Sequence, residues 1–217
     1  MKRILRHVTG FTMVELLLAS LFALMVMASL YGFFREQLFY LLSQELKTAT
    51  LEDARAALDM MVRELRNAGS WATGTVPPGC QRIVTATATS IHIQADLDGQ
   101  LVSGVPSCNS ATGEDVTYEL SSATSTCPGT IIRRKGSATD PGQCLVANVV
   151  VPSGGSFLTY YDASSNALPP PITGSNLNNI KRVKITFAVQ VQNPNPYSRS
   201  ANPNITSTLF SSVEFRN

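Results

Sequence analysis

The sequence predicts an α+β protein in which one long N-terminal helix, apolar first and amphipathic later, packs on an antiparallel β-sheet head. Three observations predict it. No proline occurs before Pro77, and the chain from Phe11 to Ala68 keeps a helix-forming composition throughout. From Ser70 onward the texture changes to glycine, proline, serine and threonine, interrupted by short apolar alternations. Four cysteines, Cys80, Cys108, Cys127 and Cys144, all lie beyond the helical stretch. With 217 residues, 44% of them hydrophobic, the chain suffices for one ordinary domain plus an extension.

The first element, residues 1–10, is short and basic, with Lys2, Arg3 and Arg6. These three residues account for the formal charge of +2, because the rest of the chain holds fourteen basic against fifteen acidic side chains. A nucleic-acid partner therefore gets no electrostatic support.

Residues 11–34 form the second element, with Glu15 as their only charge and Arg35 and Glu36 closing the run. As a helix this stretch spans roughly 36 Å, enough to cross a bilayer core of about 30 Å. The basic residues ahead of it stay cytoplasmic under the positive-inside rule, so the remainder lies across the membrane. A cleavable export signal is the alternative, with Val26 and Ala28 as small residues before a cut. Against that, the apolar run exceeds the usual 7 to 15 residues of such a signal. A carboxylate would also serve no purpose in a segment to be discarded.

Glu15 needs a reason, since an ionisable group at the centre of a membrane helix costs on the order of 2.5 kcal/mol or more. That cost falls near a helix N-terminus, where the macrodipole favours negative charge. A cut between Gly10 and Phe11 would create such a terminus one turn away. It would also create an α-amino group able to pair with a carboxylate on a neighbouring copy.

With its basic leader, Gly10, and then "FTMVELLLAS" carrying Phe11, Thr12 and Glu15 at fixed offsets, the chain resembles the type IV pilin and pseudopilin superfamily. The resemblance implies cleavage by prepilin peptidase, N-methylation of Phe11, delivery to an inner-membrane assembly platform, and packing of the apolar helix into a filament core. Gly32 stands where many relatives carry a proline, and glycine likewise weakens a helix.

Residues 35–69 continue the helix as an amphipathic element. Ala54, Leu58, Met61, Leu65 and Ala68 recur at spacings of four and three, which places them on one buried face. Arg55, Asp59 and Arg63 stand four apart on the exposed side, an arrangement suited to weak ion pairs. Gly69 is the expected C-terminal stop.

Residues 70–217 form the head. Ile91, Ile93, Ala95 and Leu97 alternate with polar residues, as do Val183, Ile185, Phe187, Val189 and Val191, and both patterns read as half-buried strands. "DVTYEL", "TIIRRK", "LVANVVV", "SFLTYY" and "ITSTLFSSVEF" are further candidates. Six or so short strands then form one antiparallel sheet on the helix. In their order along the chain these segments are similar to minor pilins of the PilW/PulJ type. The similarity implies a low-abundance structural subunit of a type IV pilus or type II secretion filament, associated with priming or the tip complex. The implied location is the inner membrane with the head in the periplasm, then the filament; the implied partners are other major and minor pilins.

An even number of cysteines in an exported head reads as two disulfides. Of three connectivities, the neighbour pairing of Cys80 with Cys108 and Cys127 with Cys144 is the one expected. "DLDGQ" places Asp96, Asp98 and Gly99 as in part of a calcium loop, but the remaining ligands are missing and a strand-ending turn is the better reading. No metal or other cofactor is expected. His92 reads as an ordinary sheet residue, and Arg133 to Lys135 as a solvated face or edge guard. Residues 192–204, polar and proline-rich, form a loop longer than most hairpins need. Nothing resembles a catalytic triad or phosphate loop, so an enzyme is not expected. The rival function is a periplasmic ligand-binding or receptor domain on a permanent single-span anchor.

Overall fold

The computed structural model describes residues 10–72, 74–96, 101–102, 105–106, 108, 114–121, 127, 129–136, 140–196 and 199–215. The basic residues Lys2, Arg3 and Arg6, and the residues Leu97, Asp98 and Gly99, lie outside them.

Helix α1 spans Met13–Asn67, 55 residues or roughly 82 Å. It runs through Gly32 without interruption. The C-cap is Ala68, and Gly69 follows at φ +76°, donating its N–H to the Gln94 carbonyl at 2.9 Å. A side chain at Gly69 would be strained by that φ and would meet Arg82 Cγ at 2.7 Å.

The expected buried stripe is present: Ala54, Leu58, Met61, Leu65 and Ala68 are all buried, joined by Ala57. Packing on the head starts later than position 35, however. Phe39, Ser43, Thr50 and Leu51 are half-buried, while Leu38, Tyr40, Leu41, Leu42 and Leu46 stay exposed. Arg55, Asp59 and Arg63 are exposed as expected, but the ion pairs within 4.0 Å among the described residues join other side chains. Long exposed side chains keep their rotamer freedom when water solvates the charges as well.

A fragment beginning at Glu36 retains every fully buried helix position. Under oxidising conditions it is expected to fold, with mixed helix and strand in far-ultraviolet circular dichroism, and to self-associate through its exposed leucines. Light scattering should show that association lost in Leu42→Glu with Leu46→Glu. An unfolded spectrum would contradict the helix-on-sheet packing.

Twelve strands follow among the described residues: β1 Ile83–Ala86, β2 Ser90–Gln94, β3 Leu101–Val102, β4 Val105–Pro106, β5 Asp115–Leu120, β6 Ile131–Lys135, β7 Gln143–Val146, β8 Val149–Val150, β9 Leu158–Tyr161, β10 Ala167–Leu168, β11 Arg182–Gln192 and β12 Asn204–Glu214. They form two sheets where the sequence suggested one. The first has the order β1-β2-β5-β6-β7; the second has β10-β9-β11-β12, with β8 also on β11; β3 and β4 make a separate ribbon. All these pairs are antiparallel. Alternation along a strand reveals its two faces but not its neighbours, which is why the division escaped the sequence.

α1 touches β7 at the edge of the first sheet and β11 and β12 of the second. On β11, Val183, Ile185, Phe187 and Val189 are buried and complete the core with Tyr160, Phe157 and Leu158. Phe157 and Phe187 meet edge to face with centroids 6.2 Å apart. Phe39 and Ser43 border the same groove as Ile205 near the start of β12. At the other end Gly69 abuts Arg82, whose guanidinium lies 5.1 Å over Phe215, just past β12. α1 and β12 therefore run in the same direction.

Two disulfides tie down the loops. Cys80 joins Cys108 across 28 positions with Cα atoms 6.0 Å apart, and Cys127 joins Cys144 across 17 with Cα atoms 6.3 Å apart. Loop closure of this size contributes about 3 kcal/mol per bridge in the chain-entropy picture.

Two turn carboxylates titrate below their ordinary value of 3.8. Asp140 is held down by the backbone N–H groups of Gly142 and Lys135, and Asp162 by the side chain and backbone N–H of Asn166, with Ser164 adding a smaller share. A depressed carboxylate stabilises the fold fully above its unfolded pKa and loses that effect as pH falls through the folded value. Thermal melts should therefore be level from neutral pH to about 4.5 and fall below about 3.8. Asp162→Asn should flatten part of that acid limb; an unchanged limb would show that the turn is not coupled to folding.

Candidate functional site

The N-terminal site is built by local rules. Thr12 has extended backbone (φ −77°, ψ 150°) and caps α1. Its hydroxyl accepts from Glu15 N–H at 3.3 Å, while Glu15 Oε2 accepts from Thr12 N–H and Oγ1–H, each at 3.0 Å. This is a complete capping box. The Thr-x-x-Glu spacing was visible in the sequence, and the reading that tied Glu15 to a helix terminus missed Thr12 as its partner. Gly10 and Phe11 are exposed immediately before the box, so the expected cleavage bond is open to an enzyme and lies one residue from the N–H that Glu15 holds.

Beyond the box the helix offers apolar surface on every side. Leu16, Leu17, Leu21, Phe22, Leu24, Met25, Phe33 and Phe34 are all exposed. By length and composition α1 is the one helix among the described residues able to cross a membrane. Ser20 and Ser29 turn their hydroxyls back onto the carbonyls of Leu17 and Met25 at 2.8 Å, so neither presents an unsatisfied donor to an apolar environment.

In the head, the reading of Arg133 and Arg134 changes. Arg133 is neither a solvated residue nor an edge guard, because β6 lies inside the first sheet and Arg133 reaches α1. Its Nη2 donates to Glu64 Oε1 at 2.8 Å, and its Nε lies 3.1 Å from both Glu64 oxygens. Tyr118 O–H donates to Glu64 Oε2 at 2.6 Å. Burial lowers the Arg133 pKa, but the Glu64 carboxylate more than offsets this and the net shift is upward. Burial, with the adjacent Glu64 charge, raises the Tyr118 phenol. Arg134 reaches Glu119 instead.

His92 is a sheet residue of β2, as expected, and has a partner on the neighbouring strand. It meets Asp115 diagonally across β2 and β5, through Nε2 and Oδ1. The long hairpin loop organises itself. Asn193 N–H donates to the Pro203 carbonyl at 2.9 Å, Asn193 Nδ2 to Asn202 at 3.0 Å, and Arg199 Nε to the Asn193 carbonyl at 3.0 Å. Asn193 and Asn195 share a groove with Glu36, Phe39, Tyr40 and Ser43 of α1.

Asp96 is buried beside Trp71, and its N–H donates to the Ser70 carbonyl at 2.8 Å. Asp98 and Gly99, the other residues of that motif, lie outside the described residues. Among the described residues no cluster of three His, Cys, Asp or Glu side chains could hold a metal ion. A broad open cleft of about 850 Å³ is bordered by Trp71, Arg82, Asn178 and Lys181. Its arginine is committed to structure: Arg82 Nη2 donates to the carbonyls of Asn178 at 3.3 Å and Ile180 at 2.8 Å, and desolvation lowers its pKa.

The chain matches no protein family, no curated protein and no solved structure with which it was compared.

Proposed function

We propose that the protein is a minor pilin, a structural subunit of a type IV pilus or type II secretion-like filament rather than an enzyme. The observation that carries this reading is the capping box at Thr12 and Glu15, directly after Gly10–Phe11, opening a 55-residue helix whose apolar first half is free of the head. A permanent anchor needs neither the carboxylate nor an exposed bond before it. In a filament subunit both have work: prepilin peptidase cuts the bond, and the carboxylate meets the amino group so released. The same helix serves the membrane first and the filament core afterwards, in contact with other major and minor pilins, while its distal part holds the head together.

Mass spectrometry of the mature N-terminus tests the reading. Methyl-Phe11 is the expected first residue. Retained Met1 would turn the assignment to a receptor or binding domain on a permanent anchor, and a new terminus at Ser29 to an exported, anchor-free head. Deletion of the gene, scored in one strain for surface pili, motility, protein secretion and transformation, then reads which filament the subunit serves.

A further inference from the structure

We infer that the free edge of β12 is a docking site for an extended segment of a different polypeptide, added to the second sheet as one more strand. β9 and β8 share one side of β11, and β12 occupies the other with its outer edge open among the described residues. The pairing with β11 keeps its register without a shift from Asn204 to Glu214. An edge of this length is roughly 37 Å of alternating N–H and C=O groups. Proteins normally blunt such an edge with lysine, proline, a bulge or brevity. β12 is 11 residues long, contains no lysine, arginine or proline, and carries one charge, Glu214, at its end. Its outward row is Thr206, Thr208, Phe210 and Ser212, in which Phe210 is 72% exposed. That row suits cross-strand contact with β-branched or aromatic side chains.

A second copy of this chain is the first occupant to consider, and the geometry excludes it. Two β12 edges can pair along their length about a two-fold axis only if they run antiparallel. α1 runs in the same direction as β12, so the two helices would then point oppositely. Their apolar halves would leave the dimer at opposite ends, unable to share one membrane or one filament core. This step rests on the filament reading. The other terminal strands of the two sheets, β10 with 2 residues and β1 and β7 with 4 each, offer too little edge for a head-to-tail contact along the 11 residues of β12. The occupant is therefore a foreign strand, uncharged through its middle. A lysine or arginine at one end suits Glu214, whose register partner Arg182 is turned onto the Tyr161 ring at 4.5 Å. Backbone hydrogen bonds supply the affinity and the alternate side chains the selectivity.

The test uses the full chain in its own cells, with a photo-crosslinking benzoyl-phenylalanine in place of Thr208 and, as control, of Ala163 on the β9–β10 turn. Irradiation should yield an adduct with a different polypeptide from position 208 only. A synthetic peptide of the crosslinked segment should slow amide hydrogen exchange of residues 204–214 in the purified chain. Ser212→Lys, which guards the edge, should lower the adduct yield at least tenfold with an unchanged melting temperature. An adduct only with another copy of this chain, only with lipid, or none at all would overturn the inference. So would a peptide that leaves exchange at 204–214 unchanged. The N-terminal mass of the same sample separates the two proposals: methyl-Phe11 without a foreign adduct overturns the docking edge alone, whereas an unprocessed chain with a foreign adduct overturns the filament reading and leaves the edge supported.

Discussion

Glu15→Val protein is expected to accumulate in the membrane, cut between Gly10 and Phe11, and to be poorly recovered in sheared filaments. Valine makes the segment more apolar, so insertion is at least as favourable as before, and the residues flanking the cut are unchanged. What disappears is the carboxylate that holds Thr12 N–H and Oγ1–H at 3.0 Å. Its loss as a cap weakens only the first turn, too little to unfold a helix of this length. On the minor-pilin reading proposed above, the larger loss comes after processing, when the new α-ammonium at Phe11 would enter a filament core without a compensating charge. Glu15→Gln separates the two effects, because glutamine can still accept from Thr12 N–H but carries no charge. If the charge matters, the Glu15→Gln variant should be recovered in filaments as poorly as Glu15→Val, with some gain at high pH where the amine gives up its proton. Normal incorporation of both variants would remove the pairing role from Glu15. A subunit at the very tip has no neighbour ahead of it, so the same substitution in the major subunit shows whether position in the filament spares the minor one.

Glu64→Ala should destabilise the head strongly. It leaves the Arg133 guanidinium, whose side chain is only 10% exposed, and the buried Tyr118 hydroxyl without their acceptor. Breaking one side of a fully buried pair costs about 3 to 5 kcal/mol, and this half-buried pair falls at the lower end of that range. For a head of this size that lowers the melting temperature by roughly 6 to 12 °C. The double variant Glu64→Met, Arg133→Met should recover much of the loss, because the uncompensated charge goes too and the methionines fill the space. Equal loss in single and double variants, measured by thermal denaturation under oxidising conditions, would show that packing around Met61 and Leu65 matters there and the ion pair does not.

The features legible in the sequence are those that interactions within a few residues decide. Helix α1 is one: a stretch without proline, apolar through Phe34 and then periodic at Ala54, Leu58, Met61 and Leu65, must bury that stripe and expose the rest. The pairing of Thr12 with Glu15 and the stop at Gly69 follow from capping chemistry over three or four positions, and the alternation of Val183, Ile185, Phe187 and Val189 follows from the pleat. Only the tertiary structure decided which strands are neighbours, how the cysteines pair, and how a charge such as Arg133 is used. That residue lies 69 positions from Glu64, on a strand that reads as solvated until β5 and β7 enclose it and α1 covers it. The open edge of β12 is likewise invisible in "NITSTLFSSVE", because an edge is defined by the strand that is not beside it. Such properties depend on which distant segments close on one another, and the free energy of that choice is shared across the whole core rather than written in any local run of residues.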